Sequence, residues 1–243
     1  VKLNVLIRAW LGALLFLAGV LIGLAFSGAF AWGESEARVY SSFNGDARLR
    51  LNCPLMLSQE ESGVVRAEVI NLIDKDIEPV VNAEISHVKE PREIKQTLSL
   101  GPLESQIIEW TVDSSDVIFE RLILVNVLQS RYGDNPSRSG ACGILVFSLF
   151  GLNGIQTFRL MFVATLILMI SGGWLWLYAR RPLDTFSENI IRINVVLFGL
   201  TVLALLSTLA HWWGLALFFD ALIVLVMGVI LTEFVLFSQK YRE

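Results

Sequence analysis

Residues 9–32 contain no charge, and three further apolar runs follow at 160–179, 193–210 and 214–238. Each has about the length that crosses a bilayer, roughly 20 residues. Between the first and second runs the rhythm changes. Leu49, Leu51, Cys53, Leu55 and Leu57 alternate with Arg48, Arg50, Asn52 and Pro54. Val65, Ala67 and Val69 alternate with Arg66 and Glu68, and Val81, Ala83 and Ile85 with Asn82, Glu84 and Ser86. Ile108, Trp110 and Val112 repeat the pattern. A period of two belongs to half-buried strands, whose successive side chains point to opposite faces. Asp74-Lys75-Asp76, Gly101-Pro102 and Gly133-Asp134-Asn135-Pro136 supply turns at the spacing of an all-β sandwich. Residues 122–128 are apolar on both faces, as in a central strand, and 144–149 read as the last one.

Composition adds lipid to the picture. The chain is 54% hydrophobic and 17% charged, with a mean hydropathy of +0.61. Soluble domains carry about 25% charged residues. The net charge of −4 conceals a segregation. Residues 34–138 hold 18 acids against 11 Lys/Arg, a charge of −7. Lys2, Arg8, Arg180, Arg181, Arg192, Lys240 and Arg242 flank the apolar runs against Asp184, Glu188 and Glu243, a charge of +4. An N-terminus inside puts all seven of those cations in the cytoplasm, the positive-inside pattern, and leaves His211-Trp212-Trp213 outside. The expected location is therefore the cell membrane, with several passes, both termini cytoplasmic and residues 34–156 extracytoplasmic.

The segments expected are a first transmembrane helix over 1–33, the extracytoplasmic strand domain over 34–156 and a second helix over 157–180. A cytoplasmic loop at 181–190, helices at 191–211 and 212–238, and a tail at 239–243 complete the chain. Lys2, Arg8 and Ala29-Phe30-Ala31 also match a secretory signal with its cleavage site, but the apolar run exceeds the 7–15 residues usual there. An uncleaved signal anchor is the reading adopted. Nucleic acid is not an expected partner, because phosphate contacts need a basic patch.

The stretches Gly63-Val64-Val65-Arg66-Ala67-Glu68-Val69-Ile70-Asn71, Leu98-Ser99-Leu100-Gly101-Pro102-Leu103-Glu104-Ser105 and Glu109-Trp110-Thr111-Val112 resemble bacterial immunoglobulin-like modules of the CARDB type. The resemblance covers about residues 50–140 and lies in rhythm. It implies a binding or spacer module, hence adhesion or assembly and no chemistry. The fold class expected is an integral membrane α-helical protein of four transmembrane helices, with an all-β immunoglobulin-like sandwich inserted between helices 1 and 2.

Cys53 and Cys142 stand at the two ends of the insert. Bridged, they would fasten its first strand to its last in an oxidising compartment; unbridged, they would be two buried thiols acting as small hydrophobes. A zinc site is not expected, since the insert has one histidine, His87, and no Cys-x-x-Cys. No phosphate loop, nucleophile elbow or metalloprotease helix occurs, so neither catalytic residues nor a cofactor are expected.

Polar residues also fall in or beside the apolar runs. Asp220 and Glu233 sit in the fourth run, with Arg159 before the second and His211 after the third. Carboxylates inside spans are functional candidates. Three readings stand: pairing of Asp220 with Arg159 or His211, a proton or ion pathway, or contact with another subunit. In the first run Gly19, Gly23 and Ser27 recur at every fourth residue, with Gly12 one heptad earlier, a stripe that lets helices approach closely. That helix packs back on the other three or docks on a different protein, and Ser171-Gly172-Gly173 is a flat surface suited to receive it.

The function expected is that of a non-catalytic accessory or scaffold subunit of a membrane complex. Its partners would be the lipid bilayer, other membrane subunits and an extracytoplasmic protein. The alternatives are a transport or proton-conducting component using Asp220 and Glu233, and an envelope sensor.

Overall fold

The computed structural model describes residues 2–41, 43–179 and 185–240, with side chains described for 7–41, 43–179 and 191–232. The chain forms two compact units, one of residues 1–31 and 159–243, the other of residues 32–158.

Four helices supply the first unit, apart from the last turns of α1 and the first turn of α2: α1 (Lys2–Tyr40), α2 (Gly154–Ala179), α3 (Thr185–Leu209) and α4 (Trp213–Lys240). Each contains an apolar stretch long enough to cross a membrane, by length and composition. The buried centre is Phe16 and Val20 of α1, Met169 of α2, Leu197 and Ala204 of α3, and Ile223 of α4. Helices α3 and α4 join through a three-residue turn. His211 takes the left-handed conformation there, φ 55°, and its N–H donates to the Thr208 carbonyl, closing the helix end.

Nine strands build the second unit: β1 (Ala47–Arg48), β2 (Arg50–Asn52), β3 (Met56–Leu57), β4 (Gly63–Ile70), β5 (Val80–Ile85), β6 (Arg92–Thr97), β7 (Ser105–Val112), β8 (Leu122–Gln129) and β9 (Arg138–Val146). One sheet has six strands, with β1-β9-β8-β5-β6 in order and β3 also paired to β9. The other has three, in the order β2-β4-β7. Val65, Ala67 and Val69 of β4 and Trp110 and Val112 of β7 share one core with Val81, Ala83 and Ile85 of β5, Val125 and Val127 of β8, and Ile144 of β9. Those are the inward positions of the period-two pattern.

This architecture corrects the expected fold class. The strand unit carries a mixed β-sheet set, with β9 parallel to both β1 and β3 and every other pairing between strands antiparallel. It is also not all-β. Helix α1 continues past its apolar run, and Ala37 packs on Leu122 and Leu124, on the face of β8 opposite the core. The integral membrane class does not follow either: apolar length measures the capacity to cross a bilayer and no more. The class observed is four apolar helices with a mixed β-sheet set inserted after the first.

The start of α2 is specified locally. Asn153 Oδ1 accepts from the Gln156 N–H at 2.8 Å, and the Asn153 N–H donates to Gln156 Oε1 at 3.3 Å, a reciprocal cap. Glu61 Oε2 accepts from the Gly154 N–H at 2.7 Å, which sets a carboxylate at the positive helix end.

Candidate functional site

The small-residue stripe of α1 meets all three other helices. A Cβ on Gly12 would stand 2.6 Å from the Trp176 backbone N and 2.7 Å from the Gly172 carbonyl oxygen of α2. One on Gly172 would stand 2.7 Å from the Gly12 carbonyl oxygen, so the two backbones cross directly. Gly19 abuts Met169 and Thr165 of α2, and Gly23 abuts Thr201 of α3. Ser27 completes the series on α4: its hydroxyl donates to Asp220 Oδ1 at 2.6 Å. The first helix therefore packs back on the trio.

Asp220 is 6% exposed, and its Oδ2 has no hydrogen-bond partner. Its bonded partner, Ser27, is neither of the residues foreseen. Arg159 stands exposed early in α2, and His211 is exposed in the α3–α4 turn. The side chain of Glu233 lies outside the described residues. A cleft of about 290 Å³ in this unit is walled by apolar side chains including Phe16, Trp176 and Phe198, with Asn194 on its lining.

In the strand unit Cys53 and Cys142 form a disulfide with a Cα–Cα distance of 6.6 Å, and both are buried. The bridge joins the segment between β2 and β3 to β9, across a sequence separation of 89. Among the described residues no group of three or more His, Cys, Asp or Glu could hold a metal ion.

The sequence pattern does not show the hydrogen-bonded tip that the turns of this unit form. Asn71 is buried, and its Nδ2 donates to the Lys75 and Gly101 carbonyls, both at 2.7 Å. Its Oδ1 accepts from the Ile73 N–H at 3.0 Å. Buried Asn135 accepts from the Leu72 N–H at 3.3 Å. These two amides tie the turns after β4, before β7 and between β8 and β9 into one end of the unit. Leu72, Leu103 and Tyr132 stand out from it at 50%, 69% and 42% exposure. Leu103 is held at φ 56°, a conformation costly for a branched side chain. The signal was the Asn-rich turn chemistry itself, which marks a turn without showing which side chain it lifts into solvent.

Two carboxylates are tuned in opposite directions. The Ser137 hydroxyl and N–H, with the Arg131 guanidinium beside them, hold Asp46 below its ordinary pKa. Burial pushes Asp116 above its own, although Arg92 lies 3.1 Å away and the Asp113 N–H donates to it.

No protein-family model and no curated protein matches the chain. Solved structures similar to it include a Paenibacillus cycloisomaltooligosaccharide glucanotransferase, 18% identical with a TM-score of 0.36, over 44% of this chain and 15% of that one. The CARDB domain of a Pyrococcus furiosus protein, solved with two metal ions, is 15% identical with a TM-score of 0.33, over 44% of this chain and all of that one. A Pseudomonas fluorescens alkylpurine DNA glycosylase is 18% identical with a TM-score of 0.32, over 42% of this chain and 31% of that one. A CARDB domain is thus among the structural neighbours, but likenesses this slight carry no argument about fold or activity.

Proposed function

We propose that this chain is a non-catalytic subunit of a membrane assembly. Its apolar helices lie in the cell membrane, with both termini in the cytoplasm, and its strand unit grips a protein partner on the far side. The observation that carries the reading is the tip: Leu72, Leu103 and Tyr132 exposed on turns that buried Asn71 and Asn135 hold rigid. Preorganised apolar side chains on a stiff scaffold suit recognition, since little freedom remains to be lost on binding. Exposed Asp74, Asp76, Glu104 and Asp134 outnumber Lys75 and Arg131 in the same turns. The partner then offers an apolar side chain flanked by Lys or Arg. The buried disulfide supports the placement, because such bridges persist in oxidising compartments.

The test is purification of the full chain from its source membranes in mild detergent. The reading expects a defined protein to co-purify in fixed ratio. Leu103→Asp with Tyr132→Asp should lower its recovery at least tenfold while the thermal transition of the chain is unchanged. A chain recovered as a lone monomer would overturn the proposal.

A further inference from the structure

Bulky side chains at positive φ are rare, yet two phenylalanines of the strand unit adopt it. Phe119 has φ 49° and Phe150 φ 52°, and they are 60% and 89% exposed. Each pairs an aromatic ring in solvent with a strained backbone, a cost that persists where the surrounding structure over-determines the conformation and that clusters at functional places.

Strand register puts both at one end of the large sheet. Leu122 at the start of β8 pairs with Leu145 near the end of β9. Phe119 lies in the turn that enters β8, and its ring stands 6.5 Å from that of Trp32 on α1, itself 46% exposed. Phe150 follows β9, four residues before α2 begins at Gly154. At this same end Gly154 abuts the backbone of Met56, whose register partner is Leu145. The chain thus passes into both apolar helices here, while Leu72, Leu103 and Tyr132 belong to the opposite end.

The geometry points to a lipid surface as the occupant of this rim: Trp32, Phe119 and Phe150 sit in the interfacial layer of the bilayer and seat the strand unit on it. The inference rests on the membrane location proposed above and adds a contact which that location does not require. The Trp32 indole suits the headgroup layer, where its N–H is wet and its ring dry, and the Phe119 and Phe150 rings gain by leaving water for the headgroup–acyl boundary. Continuity of the chain into two apolar helices at this end favours lipid over a protein partner.

Spin labels at Phe119→Cys and Phe150→Cys test it, in the full chain held in phosphatidylcholine nanodiscs. The native cysteines are bridged, so each label has one target. The rim predicts labels that collide with oxygen several-fold more than with a water-soluble nickel chelate, while Leu103→Cys shows the reverse. Labels at 119 and 150 as water-accessible as that at 103, or shielded from both reagents by protein, would overturn the proposal. Should a variant fail to fold, the unsubstituted chain decides. A phosphatidylcholine bearing a diazirine near its headgroup should label the segments 117–121 and 148–152, and absence of label there would contradict the rim. A chain stripped from membranes by alkaline carbonate would instead end the membrane reading itself.

Discussion

Ser27 and Asp220 form a polar contact between α1 and α4. Removing one partner leaves the other buried and unpaired, at a cost of about 1–3 kcal/mol. Ser27→Ala should lower the melting temperature in detergent, and adding Asp220→Leu should restore part of the loss, because two apolar groups need no partner. A double variant less stable than the single one would contradict this account. Asp46 titrates below its ordinary range because Ser137 donates to its carboxylate. The folded state then binds that proton less readily than the unfolded chain, so this contribution to stability is present above the ordinary pKa and lost as pH falls through the folded one. Asp116, raised by burial, has the opposite sign: its contribution is full below the ordinary pKa and lost as pH rises through the raised value. Ser137→Ala should bring the Asp46 midpoint, read by NMR titration, up toward the ordinary value; an unmoved midpoint would show that Ser137 is not the cause. The sequence carries half of the Ser27–Asp220 pair. Ser27 continued the four-residue step of the stripe, but nothing local links it to a residue 193 positions away.

At the scale of elements, close approach decides which substitutions the protein tolerates. A Cβ on Gly143 of β9 would collide with the Gly33 carbonyl of α1, whereas one on Gly199 of α3 would meet nothing within 4 Å. Gly143→Val should therefore destabilise the strand unit by about 1–3 kcal/mol or more through overpacking. Gly199→Ala should stabilise α3 by about 0.5–1 kcal/mol by removing helix-interior freedom. Opposite shifts in thermal unfolding check both, and two shifts of the same sign would not fit. Periodicity showed the strands that face a core. It also showed β8 as central, since Leu122 and Leu124 lie under α1 while Val125 and Val127 face the other sheet. It failed where burial was absent: the edge strand β6, Arg92–Thr97, is almost wholly exposed and carries no pattern. It also joined residues 49–57 into one strand. Pro54 has no N–H to give a ladder, and β2 joins one sheet while β1 and β3 join the other. The sequence hides the last turns of α1, because Glu34, Glu36 and Arg38 suggest an ended span although such residues form helix readily.

For the molecule as a whole, the proposed sidedness rests on two independent arguments, the redox chemistry of the disulfide and the charge flanking the apolar runs of the sequence. Both half-cystines belong to the strand unit. Replacing Cys53 and Cys142 by Ser should cost that unit about 4–5 kcal/mol, the loop-closure entropy of a ring this large. The loss should appear in the unfolding of the strand unit, and a change confined to the helices would contradict the assignment. The most direct test is labelling Gln96→Cys, on the exposed edge strand β6, with a membrane-impermeant maleimide in intact cells. Reaction before lysis should reach the level seen after it. Labelling that appears only once the membrane is broken would place the strand unit on the cytoplasmic side and contradict the proposed role.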